Sequence, residues 1–338
     1  MIADTALYLF GVQGKNLNET EVAWLKHPLT AGVVLFTRNY ENPEQIKAFI
    51  KTIRQTAKNA LLIAVDHEGG RVQRFRQGFT AIPAMAELGK IYDRDKNTGL
   101  ALTKAAGYVM AYEIAQCDID FSFAPVLDVQ TDFSPVIGDR AFHSDVRQIG
   151  PIATAFYRGM QEAGMAGVGK HFPGHGNVAV DSHRQLPVNA ADFADLEKTD
   201  LPPFNTLIKE GIEAIMPAHI LYPQVDQLPA GFSPLWLKTI LRERLGFKGC
   251  IISDDLDMAG AAAYGNMAER VKLAKNNCDL ILLCNCHADM KMAFASQVPE
   301  PNPRRQARQN KLRRRKGCLN QNLYQQALCR LRQAKLIG

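Results

Sequence analysis

The 338 residues contain no apolar run approaching the roughly 18–20 that a membrane span requires, so no span is expected. The start lacks the basic opening and small-residue cleavage site of a secretory signal; Met1 to Gly14 carries Asp4 and reads as a strand. Cysteine is scarce and odd in number, with seven (Cys117, Cys250, Cys278, Cys284, Cys286, Cys318, Cys329), and no C-x-x-C occurs. That argues against a disulfide framework or a zinc ribbon. No G-x-G-x-x-G opens a helix after the first strand, and the H-x-H and H-E-x-x-H spacings of zinc hydrolases are missing. Acidic residues are missing from one long stretch: residues 301–338 hold 11 Lys/Arg and no Asp/Glu. Removing those 11 from the 40 basic residues leaves 29 against 34 acidic, so a body of net −5 carries a basic tail. A soluble protein of the cytoplasm, a reducing compartment, is the simplest reading.

What is present is globular: 46% hydrophobic and 22% charged residues, enough for a sizeable core. Eight short apolar runs without polar alternation read as strands buried on both faces: Ala6–Gly11, Ala31–Thr37, Leu61–Asp66, Phe121–Pro125, Ala166–His171, Ala214–His219, Cys250–Asp254 and Leu280–Asn285. Amphipathic segments separate them. Asn42 caps a predicted helix that begins at Pro43, with Gln45 as reciprocal partner and a stripe of Ile46, Phe49, Ile50 and Ile53. Ile149, Ile152, Ala153, Phe156 and Met160 repeat the spacing up to Gly164, and Ser233–Pro234 starts a helix that Gly246 closes. The alternation predicts a parallel α/β fold, and the length suits a single-domain (β/α)8 TIM barrel over residues 1–295. Residues 296–338 read as a basic extension, partly disordered or with a short helix near Leu323–Leu331.

Several runs end in ionisable residues: Asp66, Lys170–His171, His219 and Asp254, with Asp128 a few residues past the fourth. In a barrel these carboxyl ends converge on the face that carries active sites. The densest cluster is Lys170-His171-Phe172-Pro173-Gly174-His175-Gly176 with Asp181-Ser182-His183, which gathers three of the eight histidines. Asp181 and His183 are two apart and share a side in an extended loop; a carboxylate beside an imidazole suits a general acid/base. Ile251-Ile252-Ser253-Asp254-Asp255 sets a carboxylate at a buried strand end, where desolvation demands partners. Lys170, Arg74 and Arg140 are expected to supply them and keep it ionised. A fixed, ionised Asp is what attack on an anomeric carbon requires, although part of this acidic run can simply cap the next helix. In Asp66-His67-Glu68-Gly69-Gly70-Arg71-Val72-Gln73-Arg74 the paired glycines permit a sharp turn that aims an arginine into the cleft.

These stretches, with Ile137-Gly138-Asp139-Arg140 and Met216-Pro217-Ala218-His219, resemble in order the motifs of family 3 glycoside hydrolases of the bacterial single-domain β-N-acetylglucosaminidase type. The match runs from about Ala6 to Asn285, chiefly through the Lys170–His183 pattern. The resemblance implies a (β/α)8 barrel acting in peptidoglycan recycling. The implied substrate is a small muropeptide or disaccharide with N-acetylglucosamine linked β-1,4 to 1,6-anhydro-N-acetylmuramic acid. It implies Asp254 as nucleophile, His183 as acid/base and Asp181 as its partner, with Asp66, Arg74, Arg140, Lys170 and His171 binding the sugar. It implies no cofactor and no metal, and a monomer is expected. His67 departs from the family, which usually has Gln there, beside the sugar site.

Other chemistries stay open at this level. Asp254 and Asp255 could orient the substrate's own acetamido group, phosphate could replace water, and His171, His175, His183, His219 and Asp254 could ligate zinc on a barrel face. The tail's basic run could meet phosphates, but no aromatic is interleaved before Tyr324, so neither nucleic acid nor membrane is expected as a partner.

Overall fold

A computed structural model describes residues 1–131, 134–176, 178, 186–285 and 287–338. Eight strands form the barrel: β1 (Tyr8–Gly11), β2 (Thr30–Leu35), β3 (Leu62–Val65), β4 (Phe121–Ser122), β5 (Val168–Phe172), β6 (Ala214–Pro217), β7 (Cys250–Asp255) and β8 (Leu280–Leu283). They pair in parallel in the order β4-β3-β2-β1-β8-β7-β6-β5, and bridges Phe121↔Ala166 and Val126↔Lys170 join the two ends into a ring. All eight lie within the apolar runs read from sequence or overlap them. The strands are mostly apolar and almost wholly buried because both of their faces are covered, by barrel interior on one side and helices on the other.

The helices follow their sequence signals. Pro43–Thr56 buries Ile46, Phe49, Ile50 and Ile53, and Asn42 Oδ1 accepts from Gln45 N at 2.8 Å. The reciprocal half of that cap differs from expectation: the Gln45 side chain accepts from Glu41 N instead, one residue further out (3.0 Å). Val146–Glu162 ends before Gly164, whose φ of +81° favours glycine. Leu235–Arg244 starts where the Ser233 hydroxyl accepts from Trp236 N (3.0 Å). No helix among the described residues is long and apolar enough to cross a membrane.

The basic C-terminal segment carries two helices, Pro303–Asn310 and Gln321–Gln333, and its arginines meet acids at the amino ends of the strands. Asp279, just before β8, accepts from Arg308 Nε (2.9 Å) and Nη2 (2.5 Å) and from Arg242 Nη2 (2.7 Å). Gln309 Nε2 donates to the carbonyls of Ala6 (2.9 Å) and Asp279 (2.8 Å). Asp118 accepts from Arg314 Nη2 (3.1 Å) and Arg54 Nε (2.7 Å). The charge asymmetry seen in composition is therefore resolved within the fold: tail cations neutralise acids on the barrel floor.

Candidate active site

The opposite, carboxyl-terminal face holds a charge cluster built from three strand ends. β3 ends at Val65, so Asp66 stands at the rim; the chain then forms a small hairpin, His67–Gly69 against Val72–Gln73. Gly69 (φ +107°) and Gly70 (φ +55°) make its turn, conformations a side chain would strain. The hairpin returns Arg74 to Asp66, with Arg74 Nη2 donating to Oδ2 at 3.0 Å. From β5, Lys170 Nζ lies 3.1 Å from Asp66 Oδ1 and 2.6 Å from Glu68 Oε1. Arg140, on the turn Gly138–Arg140, grips Glu68 with two parallel bonds, Nε to Oε2 and Nη2 to Oε1, both 2.8 Å. Three cations and two carboxylates thus interlock, mostly out of water.

Burial alone would raise the pKa of Asp66, but the Lys170 and Arg74 charges outweigh it and hold the carboxyl well below its usual range. The same contest leaves Glu68 lowered to about 2, with Arg140 and Lys170 prevailing over burial. Lys170 and Arg140 stay charged because their carboxylate partners overcome their own desolvation. Each of the three cations donates to a carboxylate oxygen of Asp66 or Glu68, and the guanidinium of Arg140 does so as a planar fork.

A second buried group adjoins it. Asp128, whose side chain is 0% exposed, accepts from His171 Nδ1 at 2.6 Å and from the backbone amides of His171 (3.2 Å) and His175 (2.7 Å). Burial raises its pKa, yet the two histidines reverse that and keep it low, so Asp128 is the acceptor and His171 carries its proton on Nδ1. The His171 and His175 rings lie 5.8 Å apart at 67°. Gly174 has φ +152°, and a side chain there would strike Asp200, so the loop needs its glycine.

Asp254, the last residue but one of β7, stands on the same face, partly exposed, and its Oδ1 accepts from Asp255 N at 2.8 Å. Burial lowers the pKa of His175 and His219, and the nearby Asp254 charge partly counters it in both. The cations expected to neutralise Asp254 do not: Lys170, Arg74 and Arg140 are engaged by Asp66 and Glu68. Among the described residues no cation pairs with Asp254. Burial pushes the carboxyl of the neighbouring Asp255 up to about 6 although the amides of Cys284 (3.0 Å) and Asp257 (3.2 Å) donate to it.

The structure therefore brings Asp66, Arg74, Arg140, Lys170, His171 and Asp254 to one face. Asp181 and His183 lie outside the described residues. Sequence reasoning gave no role to Glu68 and left Asp128 unassigned. Glu68 had a readable signal, since it is two residues from Asp66 in an extended segment and so shares its side. His67 does not touch the polar cluster: it is fully buried against Phe75 (6.1 Å) and Phe79 (5.6 Å), and burial depresses its pKa to about 3. The exchange at this position falls in the packing behind the hairpin. Among the described residues no group of three or more His, Cys, Asp or Glu is placed to hold a metal ion.

Comparison with known proteins agrees with this architecture. A model described as the glycosyl hydrolase family 3 N terminal domain matches residues 4–314, past the boundary expected near 295. A β-hexosaminidase of Methylobacillus flagellatus is 51% identical over 278 residues, 82% of this chain and 80% of that one. The crystal structure of native NagZ from Neisseria gonorrhoeae superposes with a TM-score of 0.91 at 38% identity, covering 98% of each chain. The same protein in complex with N-trifluoroacetyl-D-glucosamine gives 0.91 at 39%, again over 98% of each chain. By this match and this barrel the chain belongs to glycosyl hydrolase family 3 and is a glycoside hydrolase with β-hexosaminidases among its relatives.

Proposed function

We propose that the chain is an exo-acting, retaining β-N-acetylglucosaminidase that removes non-reducing N-acetylglucosamine from small peptidoglycan fragments in the cytoplasm, as a monomer. The observation that carries this reading is the Asp254 carboxylate, without a cation partner among the described residues, on the face where Asp66, Arg74, Arg140 and Lys170 are locked together. A carboxylate already bound to a cation is a blunted nucleophile. This one accepts from a backbone amide and is engaged by no cation among the described residues, which leaves it for a sugar carbon that becomes cationic in the transition state. The relatives named β-hexosaminidase and the complex of NagZ with an amino sugar support the choice of substrate.

In this reading Asp66, Arg74, Arg140, Lys170 and His171 hold the sugar. Asp254 attacks C1 while His183, partnered by Asp181, protonates the leaving oxygen. The glycosyl-enzyme then meets water that His183 deprotonates, and the β configuration is retained. A histidine cation is attracted to Asp254, and its ordinary pKa near 6.5 suits both duties without the tuning a carboxylic acid needs. The peptidoglycan fragment rests on the family resemblance.

The test is hydrolysis of 4-nitrophenyl N-acetyl-β-glucosaminide by the native chain and by Asp254→Asn. The native chain should be active, and the variant should lose about 10³-fold or more in kcat. An inactive native chain, or a variant within tenfold of it, overturns the proposal. A 2-fluoro sugar should add its mass at Asp254; tight binding of an oxazoline mimic without labelling would instead favour participation of the acetamido group.

A further inference from the structure

The C-terminal helix and the sugar-binding hairpin are far apart in the chain, yet one carboxylate joins them. Glu113, near the end of the helix Lys96–Gln116, accepts from Thr80 N at 2.8 Å, from Thr80 Oγ1 at 2.5 Å and from the Tyr324 hydroxyl at 2.7 Å. The carbonyl of Thr80 accepts from Gln73 Nε2 at 2.9 Å. The same nitrogen donates to the Phe75 carbonyl (3.0 Å), and Gln73 Oε1 accepts from Ile82 N (3.1 Å). The buried Gln73 amide is thus the centre around which the loop from 74 to 82 is wrapped. Gln73 is also the residue before Arg74, whose guanidinium meets Asp66.

Tyr324 is well placed to anchor the far end. Its ring stacks on Tyr112 at 4.3 Å and 13°, and Tyr112 OH donates to Gln321 Oε1 at 2.5 Å, so the helix Gln321–Gln333 is fixed against its neighbour on both counts. Burial, reinforced by the Glu113 carboxylate, pushes the phenol up, which keeps it a donor. The loop after Arg74 has no regular secondary structure before Met85, so side-chain bonds must supply the order that a strand or helix would otherwise give.

We propose that Tyr324, Glu113, Thr80 and Gln73 form a brace by which the C-terminal helix holds Arg74 in register for the sugar, which makes Tyr324 and Glu113 positioning residues. The extension that composition set apart thereby acts on the catalytic face as well as the floor. The kinetic consequence rests on the proposed hexosaminidase reading; the order of the 74–82 loop does not.

The experiment uses the full chain with Tyr324→Phe, which deletes one hydroxyl and keeps the stack. Its control is Tyr108→Phe, which releases the start of the same helix, where Tyr108 OH bonds the backbone of Asn320 (3.1 Å), without a bond to Thr80. For Tyr324→Phe, KM for the aryl glycoside should rise about three- to fivefold with kcat within about twofold, and amide exchange across 74–82 should quicken about tenfold. Tyr108→Phe should shift Tm by a similar amount while leaving KM and exchange at 74–82 as in the native chain. Equal KM increases in both variants would mean that the helix acts only through overall stability and would overturn the brace. Unchanged exchange at 74–82 in Tyr324→Phe overturns it whatever the substrate proves to be. Faster exchange there in an enzyme inactive on the glycoside would uphold the brace and sink the substrate assignment alone.

Discussion

Replacing Glu68 with Gln isolates the charge at the centre of the site. The amide keeps the size and one acceptor oxygen, so it removes little but the negative charge. The side chains concerned are nearly dry: Glu68 is 2% exposed, Lys170 4% and Arg140 10%. Three cations would then face the single carboxylate of Asp66. Removing one partner of a buried pair leaves an uncompensated charge and costs about 3–5 kcal/mol. For a chain of this length that is a fall in Tm of roughly 4–7 °C. The dependence on acidity has a definite sign. Glu68 is lowered from 4.5 to about 2 in the folded chain, so its contribution is complete above about pH 4.5 and is lost as pH falls through about 2. Thermal unfolding followed by circular dichroism at pH 7, 4 and 3 should show the gap between native and variant closing as acid is added. A Tm loss below 1 °C at pH 7, or a gap that stays constant down to pH 3, would refute the view that Glu68 is the counter-charge on which Lys170 and Arg140 depend.

Two further outcomes follow from the same bonds. Asp128→Asn should lower kcat/KM about 10- to 100-fold with little change in secondary structure, because the His171 ring loses the acceptor that fixes its tautomer; ¹⁵N chemical shifts of His171 should report Nδ1 losing its proton preference, and unaltered shifts would contradict the assignment. Asp279→Asn should cost about 2 kcal/mol in urea unfolding, below the fully buried figure because Arg242 and Arg308 are 20% and 29% exposed, while KM stays unchanged since the floor is remote from the sugar.

The barrel was legible because its strands must be apolar on both faces. Runs such as Leu61–Val65 and Leu280–Leu283 have no polar alternation to confuse the reading, and the helices between them carry explicit stops such as Gly164 and Gly246. The strand-end rule then placed Asp66, Lys170 and Asp254 on one face. What escaped was pairing. Sequence shows that charges accumulate at strand ends but not which cation meets which anion, since that depends on strand tilt and on the hairpin's return path. Lys170, Arg74 and Arg140 were expected at Asp254 and instead serve Asp66 and Glu68. His67 escaped for a related reason: its neighbours Asp66 and Glu68 are polar contacts, but the pleat turns it to the other side, among phenylalanines. The tail escaped because its acidic partners, Asp118, Asp120 and Asp279, are scattered over more than 150 positions of sequence and converge only when the ring closes.

The distribution of paired and unpaired acids separates stability from chemistry. On the floor, Asp118, Asp120 and Asp279 are satisfied by Arg54, Arg242, Arg308 and Arg314. On the opposite face Asp66 and Glu68 are satisfied by Arg74, Arg140 and Lys170, and Asp128 by His171. Two adjacent acids at the end of β7 are treated differently. Asp254 has a backbone amide and histidines nearby but no cation among the described residues, and burial pushes the Asp255 carboxyl up to about 6. Among the described residues the fold gives cations to Asp66 and Glu68 but none to Asp254, and a carboxylate so placed is expected where a positive centre arrives during reaction. With Glu68 and Asp66 engaging Lys170, Arg74 and Arg140, the proposed mechanism leaves the field of Asp254 for the substrate. In the proposed reading the same cations, held in place by those two carboxylates, also offer N–H groups to the sugar. On that proposal binding and attack draw on one charge network without competing for it.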